Sequence, residues 1–302
     1  MCGIVGYLDR GRGGPVAVGQ IVLRMLEALG CRGPDSAGVA LYAAGSGGEW
    51  VLRVKIGEDG DLEGRAAQVV EKAGKLGQVR RAETTAQYLR LAMDYQGDPG
   101  HLERCIESAG GEVEVVSMGQ RLEIVKQVGS PQNLEATYGI SRFAGTHGLG
   151  HTRLSTESRV DLSHSQPFWA HGWPDLAVVH NGHITNYHKL RRRYEQRGVR
   201  FYTENDSEII GVYLAERLAE GLGLKETLEQ SLRDLDGSFS YLAATPDAFG
   251  FAKDPFAFKP LLFAQTEEFV AVATEEVALR ASLGGQYQAR EAQAGEVRVW
   301  PR

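Results

Sequence analysis

Cys2 directly follows Met1, and the opening Met1-Cys2-Gly3-Ile4-Val5-Gly6 has neither the charged nor the apolar segment of a signal peptide. Removal of Met1 would leave Cys2 with a thiol and a free α-amine, a nucleophile and a base on one residue. An α-amine titrates near ~8 and a thiol near ~8.5, so a modest environmental shift gives a working pair at neutral pH. The alternative is a small apolar residue that opens a buried strand. Three further stretches hold side chains suited to such a nucleophile. One is Arg32-Gly33-Pro34-Asp35-Ser36-Ala37-Gly38. Another is His151-Thr152-Arg153-Leu154-Ser155-Thr156, running on to Gln166-Pro167-Phe168. The last is His180-Asn181-Gly182-His183-Ile184-Thr185-Asn186, followed by Asn205-Asp206-Ser207-Glu208.

Taken together these stretches resemble the class II glutamine amidotransferases, N-terminal-nucleophile hydrolases that release ammonia from glutamine. The order His-Thr-Arg-Leu-Ser-Thr, Gln-Pro-Phe, His-Asn-Gly and Asp-Ser-Glu is most similar to the amidotransferase part of glutamate synthase, in a stand-alone form. Lys253-Asp254-Pro255, Lys259-Pro260-Leu261 and Gly295-Glu296-Val297 are similar to the family's last strands. The resemblance covers residues 1–56 and about 141–302 and leaves 57–140 unmatched. It implies an α+β Ntn-hydrolase fold, a four-layer αββα sandwich of two antiparallel sheets, with a small α+β insertion. It also implies Cys2 as nucleophile, Asn181 and Gly182 as oxyanion hole, and Arg153, Thr156 and Asp206 as glutamine contacts. Arg32 and Gly33 resemble the loop that closes over bound glutamine. Leu154 and Glu157 depart from some branches, which leaves the substrate-loop details open.

The residue chemistry agrees with these roles. Glutamine is a zwitterion with a distant primary amide, so its site needs a cation, an anion and a group that attacks the amide. Arg153 can grip the α-carboxylate with a bidentate fork, or form a structural salt bridge. Asp206 can take the α-ammonium, or cap the helix that follows it. The Thr156 hydroxyl can bond substrate or merely sit in a strand. Asn181 and Gly182 can offer N–H donors to an oxyanion, and Asn-Gly is equally a type I′ turn that would aim them. Cys31 has no neighbouring base and reads as packing.

Elements must hold these residues in place. With 302 residues, 42% of them hydrophobic, the chain suffices for one large core plus a small insertion. Gly3 to Leu8 reads as a strand, Val16 to Leu29 as a helix, and Ser36 to Ala44 and Trp50 to Lys55 as strands around a Gly-rich turn. Within 57–140, Gly57 to Arg65 reads as a surface linker, Tyr88 to Met93 as a strand and His101 to Ser108 as a helix. Glu112 to Val116 and Arg121 to Gln127 read as paired strands. Later strands are expected at Leu176 to Val179, Phe239 to Ala244, Gly250 to Ala252, Leu261 to Phe263 and Phe269 to Ala273. Helices are expected at Ser207 to Ala219 and Leu224 to Leu235. The order suggests two packed sheets flanked by helices.

Other functions are disfavoured. Net charge of −6 argues against nucleic acid and anionic membrane, and no apolar run approaches a bilayer span. Three cysteines without CxxC spacing point to a reducing cytoplasm. Seven of eight histidines lie between His147 and His188, yet without HExxH or i, i+4 spacing they read as structural, and no metal is expected. No GxxxxGK[ST] or GxGxxG loop occurs, so no cofactor is expected in this chain. The resemblance implies a separate synthase partner carrying FMN, with or without iron–sulfur clusters, and the lack of motif residues in 57–140 makes that stretch the candidate docking surface. A stand-alone amide hydrolase and a silent glutamine-sensing subunit are the competing readings.

Overall fold

The computed structural model describes residues 2–11, 14–45, 48–155 and 160–302. The chain opens with strand β1 (Gly3–Asp9), helix α1 (Val18–Ala28) and strand β2 (Ser36–Ala43). A smaller subdomain follows: β3 (Trp50–Lys55), α2 (Leu62–Gly74), β4 (Gln78–Thr85), β5 (Tyr88–Asp94), α3 (Pro99–Glu107) and β6 (Glu114–Gly119). The return passes through β7 (Leu122–Val128), α4 (Pro131–Tyr138) and β8 (Gly145–Arg153). Next come β9 (Phe168–Trp169), β10 (Ala177–Ile184), α5 (Tyr187–Gln196), α6 (Asp206–Ala219) and α7 (Leu224–Asp234). The chain finishes with β11 (Gly237–Thr245), β12 (Ala248–Lys253), β13 (Leu262–Gln265), β14 (Phe269–Ala273), α8 (Glu276–Ser282), β15 (Ala289–Glu291) and β16 (Val297–Pro301).

Two antiparallel sheets pack face to face. The larger has the order β15-β13-β14-β1-β8-β2-β7, and the other β16-β12-β11-β10-β9. Strand alternation explains the layering. Along β1, Val5 and Tyr7 join Val22 and Leu26 of α1 in an outer core, while Ile4 and Leu8 join Val179, Leu242 and Phe249 between the sheets. On the far side, Val178, Tyr241 and Ala243 pack against Ile209, Ile210 and Leu228 of α6 and α7. The result is the αββα sandwich that the motifs imply.

Glycines set the spacing at the centre. A Cβ on Gly150 of β8 would stand 2.9 Å from side chains of Leu26, Val22 and Val5, so α1 can lie directly on the strand. A Cβ on Gly6 would stand 2.6 Å from the Phe249 ring of the facing sheet. These close approaches seat the layers against each other.

The small subdomain departs from the sequence reading. Its sheet, β4-β5-β3-β6, recruits Trp50–Lys55 from before residue 57, and Leu122–Val128 from within 57–140 belongs to the large sheet. The strands Ser36–Ala43 and Trp50–Lys55 therefore lie in different sheets rather than forming a hairpin. The same holds for Glu114–Gly119 and Leu122–Val128. Asp175 provides the physical reason for the second case. Its carboxylate accepts the N–H groups of Gln120 (2.9 Å), Arg121 (2.9 Å) and Leu122 (2.8 Å), so the turn's donors bond the loop before β10. Part of Gly57 to Arg65 is helical, since α2 begins at Leu62 with Asp61 as its cap. Leu52, Tyr88, Leu102 and Met118 merge with the inter-sheet core, so the subdomain has no core apart from it. Among the described residues no helix is long and apolar enough to cross a membrane.

Lys126 of β7 is buried, its ammonium 4.9 Å from the Phe168 ring centroid. Burial pushes its pKa from 10.5 to about 8, against the pull of Glu114. An unfolded chain thus binds more protons than the folded one between those values, and stability contributed by this site rises with pH there. Relative to Lys126→Met, the wild-type protein should gain on the order of 3 kcal/mol in unfolding free energy between pH 8 and 10.5, as read by urea denaturation. Parallel pH profiles for the two proteins would refute the assignment.

Candidate active site

The site begins with strand register. β1 and β8 run antiparallel with Gly3 opposite Thr152, which brings Cys2 and Arg153 together at the end of the pair. Ile4 is clamped by Thr274, which accepts its N–H at 2.8 Å and returns its own to the Ile4 carbonyl at 3.0 Å. Next to this pair lies β10, with Asn181 and Gly182, and then the start of α6, with Asp206. Cys2, Arg153, Asn181, Gly182, Asp206 and Lys259 all line one cavity of about 480 Å³.

The Cys2 thiol is half-buried and lies 3.8 Å from the Leu154 carbonyl. Burial pushes its pKa up, opposed in part by the Leu154 backbone and the Arg153 guanidinium. A thiol so placed is protonated at neutral pH and needs a base before it can attack. Arg153 is buried where it lines the cavity, and a backbone donor-acceptor link from Asp35 N to its carbonyl (3.0 Å) fixes its position.

Asn181 is buried, and its side-chain Nδ2 has no hydrogen-bond partner among the described residues. An unspent buried donor costs stability, on the order of 1–3 kcal/mol, unless something else satisfies it. Gly182 has φ +144°, and a Cβ there would fall 2.3 Å from the Ser238 carbonyl oxygen. The type I′ turn expected for Asn-Gly is not formed. Both residues lie within β10, opposite Ser240 and Phe239 of β11, and both line the cavity.

Asp206 accepts the Ile184 N–H at 2.8 Å and has His183 Nδ1 at 3.5 Å. The helix cap belongs to Asn205, whose Oδ1 accepts the Ser207 N–H at 3.0 Å. Asp206 thus sits in the first turn, where the helix dipole favours a negative charge and leaves the carboxylate at the cavity wall.

Around these groups stands a brace of buried polar contacts. Gln166 accepts the His180 N–H at 2.6 Å and donates to the His180 carbonyl at 3.1 Å. His180 Nδ1 lies 2.8 Å from Ser207 Oγ, and His151 Nε2 3.2 Å from the His180 carbonyl. Burial drives His151 to about 3 and lowers His180, so both imidazoles are neutral near pH 7. Among the described residues the one cluster with metal-ligand spacing is Glu103, Glu107 and His171, outside this cavity.

Two sequence candidates take other positions. Arg32 does not line the cavity. It donates to the Cys2 carbonyl at 3.3 Å and pairs with Glu275, bracing Cys2 from behind. Gly33 packs on β8, where a Cβ would stand 2.5 Å from the Thr152 carbonyl carbon. Thr156 and Glu157 lie outside the described residues. Cys31 is exposed on the short turn Gly30–Arg32 and does not pack in the core. Lys259, Glu204 and Tyr187 also line the cavity and escaped the sequence reading. Lys259 stood in the quoted Lys-Pro-Leu motif, which was the available signal.

Comparison with known proteins bears on this arrangement. Residues 151–281 match the glutamine amidotransferase domain family. A Methanothermobacter thermautotrophicus protein, provisionally named a glutamine amidotransferase, is 38% identical over 99% of both chains. The glutamine amidotransferase-like protein GlxB of Rhizobium meliloti is 34% identical over 92% of this chain and 91% of its own. In structure, the chain is similar to glutamine phosphoribosylpyrophosphate amidotransferase from B. subtilis, with a TM-score of 0.63 at 21% identity. That likeness covers 99% of this chain and 47% of the other, and it concerns the fold.

Gly182 provides a direct test of the site's backbone. Gly182→Ala should destabilise the protein by about 1–3 kcal/mol, because a Cβ meets both a disfavoured φ and a carbonyl oxygen. Thermal and urea unfolding read the effect, and a substitution without cost would show that glycine is not required at this φ.

Proposed function

The chain belongs to the class II glutamine amidotransferases, and from that premise we propose that it hydrolyses L-glutamine to glutamate and ammonia through a thioester on Cys2. We propose further that the ammonia passes to a separate glutamate-synthase-like subunit. The observation that carries the hydrolytic step is Asn181, a buried amide donor with no partner among the described residues, on the wall that it shares with Cys2. Such a donor is stabilised when an oxyanion forms beside it, so it favours the transition state over the empty site.

In this mechanism, loss of Met1 frees the Cys2 amine, which takes the thiol proton. The thiolate attacks the glutamine side-chain carbonyl, and Asn181 Nδ2 with the Gly182 N–H holds the oxyanion. Arg153 grips the α-carboxylate, Asp206 the α-ammonium, and the Thr156 hydroxyl supplements Arg153. Collapse of the tetrahedral intermediate breaks the C–N bond, and the Cys2 ammonium gives its proton to the leaving ammonia. Water then attacks the γ-glutamyl thioester, the amine accepting its proton, and releases glutamate with the thiol restored. Arg32 and Gly33 act by holding Cys2 and β8 in register. The order of motifs supports a glutamate-synthase-like acceptor, whose flavin chemistry, with or without iron–sulfur clusters, would reside in the partner.

Release of glutamate from glutamine tests the proposal. Cys2→Ala should abolish turnover with the fold intact, and Asn181→Ala should lower kcat by roughly 10²–10³ with little change in KM. Full turnover by Cys2→Ala, or by a protein shown by mass spectrometry to retain Met1, would overturn the mechanism. Turnover that is slow alone and rises with a co-purified synthase subunit supports ammonia transfer, whereas fast turnover of the isolated chain favours a stand-alone hydrolase.

A further inference from the structure

Helix α3 of the small subdomain turns two carboxylates, Glu103 and Glu107, toward the catalytic body. They lie one turn apart, and both are buried. Buried carboxylates persist only with partners, and these find most of theirs outside the subdomain. The Tyr202 hydroxyl stands 3.0 Å from Glu103 Oε1 and 2.8 Å from Glu107 Oε2. His171 Nδ1 is 2.8 Å from Glu103, and Arg200 donates to Glu107 at 3.0 Å. The Val115 N–H, from the subdomain itself, completes the shell of Glu107 at 3.1 Å. The Tyr202 ring is stacked between the two cationic or cation-forming groups, 3.8 Å from His171 and 4.5 Å from the Arg200 guanidinium.

Tyr202 is not an ordinary surface residue, because the chain from 202 to 206 is a strap that ends in Asp206. The Tyr202 and Thr203 N–H groups donate to Glu208 of α6 at 2.8 and 2.9 Å. Arg191 of α5 donates to the Thr203 carbonyl at 2.6 Å, and Asn205 caps α6. Glu204, Asn205 and Asp206 then form one wall of the cavity. The strap is therefore held by its backbone to α5 and α6 and by the Tyr202 hydroxyl to α3.

We infer that the Glu103–Glu107 pair, acting through Tyr202, is a positioning device that sets glutamine affinity by holding Asp206 where it meets the substrate's α-ammonium. The inference rests on the proposed role of Asp206, and it makes the small subdomain part of the substrate-binding apparatus. The pair does not touch the reacting atoms, so its influence falls on KM and leaves kcat largely unchanged. A purely structural contact would instead lower thermal stability and affect every substrate alike.

Tyr202→Phe keeps the stacked ring and removes the hydroxyl. It should raise KM for glutamine roughly tenfold, the effect of one hydrogen bond to a charged group, with kcat within about twofold. Glutamine binding by calorimetry should weaken by the same factor. With glutaramate, which lacks the α-ammonium, Tyr202→Phe and wild type should behave alike. Glu107→Gln, which keeps an acceptor oxygen, should retain more glutamine affinity than Glu107→Ala. An active wild type matched by Tyr202→Phe in KM, or an equal penalty with glutaramate, overturns the positioning role alone. A wild type that neither hydrolyses nor binds glutamine overturns both this role and the proposed function.

Discussion

The antiparallel pairing of β1 with β8 constrains everything else in the site. Because Gly3 stands opposite Thr152, Cys2 and the arginine at the far end of β8 meet at one edge. A shift of one residue would turn Cys2 and Arg153 to opposite faces. The register is secured on both sides: Thr274 grips Ile4, and Asp35 receives the Ser155 N–H at 2.7 Å while donating its own to the Arg153 carbonyl. Arg32 closes this arrangement by donating to the Cys2 carbonyl.

Charge within the site is controlled mainly by burial. Desolvation keeps His151 and His180 neutral, so they order the backbone without adding positive charge beside the thiol. It also raises the pKa of the Cys2 thiol, against the pull of the Leu154 backbone. Opposing that, Asp206 sits in the first turn of α6, where the dipole favours its charge. The buried amide of Asn181, without a partner among the described residues, lies on the same cavity wall as the cationic Arg153 and the anionic Asp206.

The small subdomain shares its core with the sandwich and contributes buried charges to the strap before Asp206. Its exposed edge is different. β4 is largely solvated and carries ion pairs such as Arg80–Asp94 and Arg81–Glu83, which discourage edge-to-edge pairing. One face thus packs on the sandwich while the other remains charged and solvated.

Residue type and motif order, read through the family resemblance, grouped Cys2, Arg153, Asn181, Gly182 and Asp206, and the fold brings these five to the lining of one cavity. Amphipathic stretches such as Val18–Ala28 and Leu224–Asp234 were legible because one face is polar. β8 was not, because it is buried throughout and interleaves glycine with histidine, which leaves no alternation to read. Only tertiary structure decided that Asn181 and Gly182 lie within a strand, that Asn205 rather than Asp206 caps α6, and that Arg32 braces Cys2 from behind. It also assigned β3 and β7 to different sheets from those their neighbours suggest. In each case the outcome depends on partners distant in sequence, such as Asp175 for the β6–β7 turn, and local propensity carries no information about them.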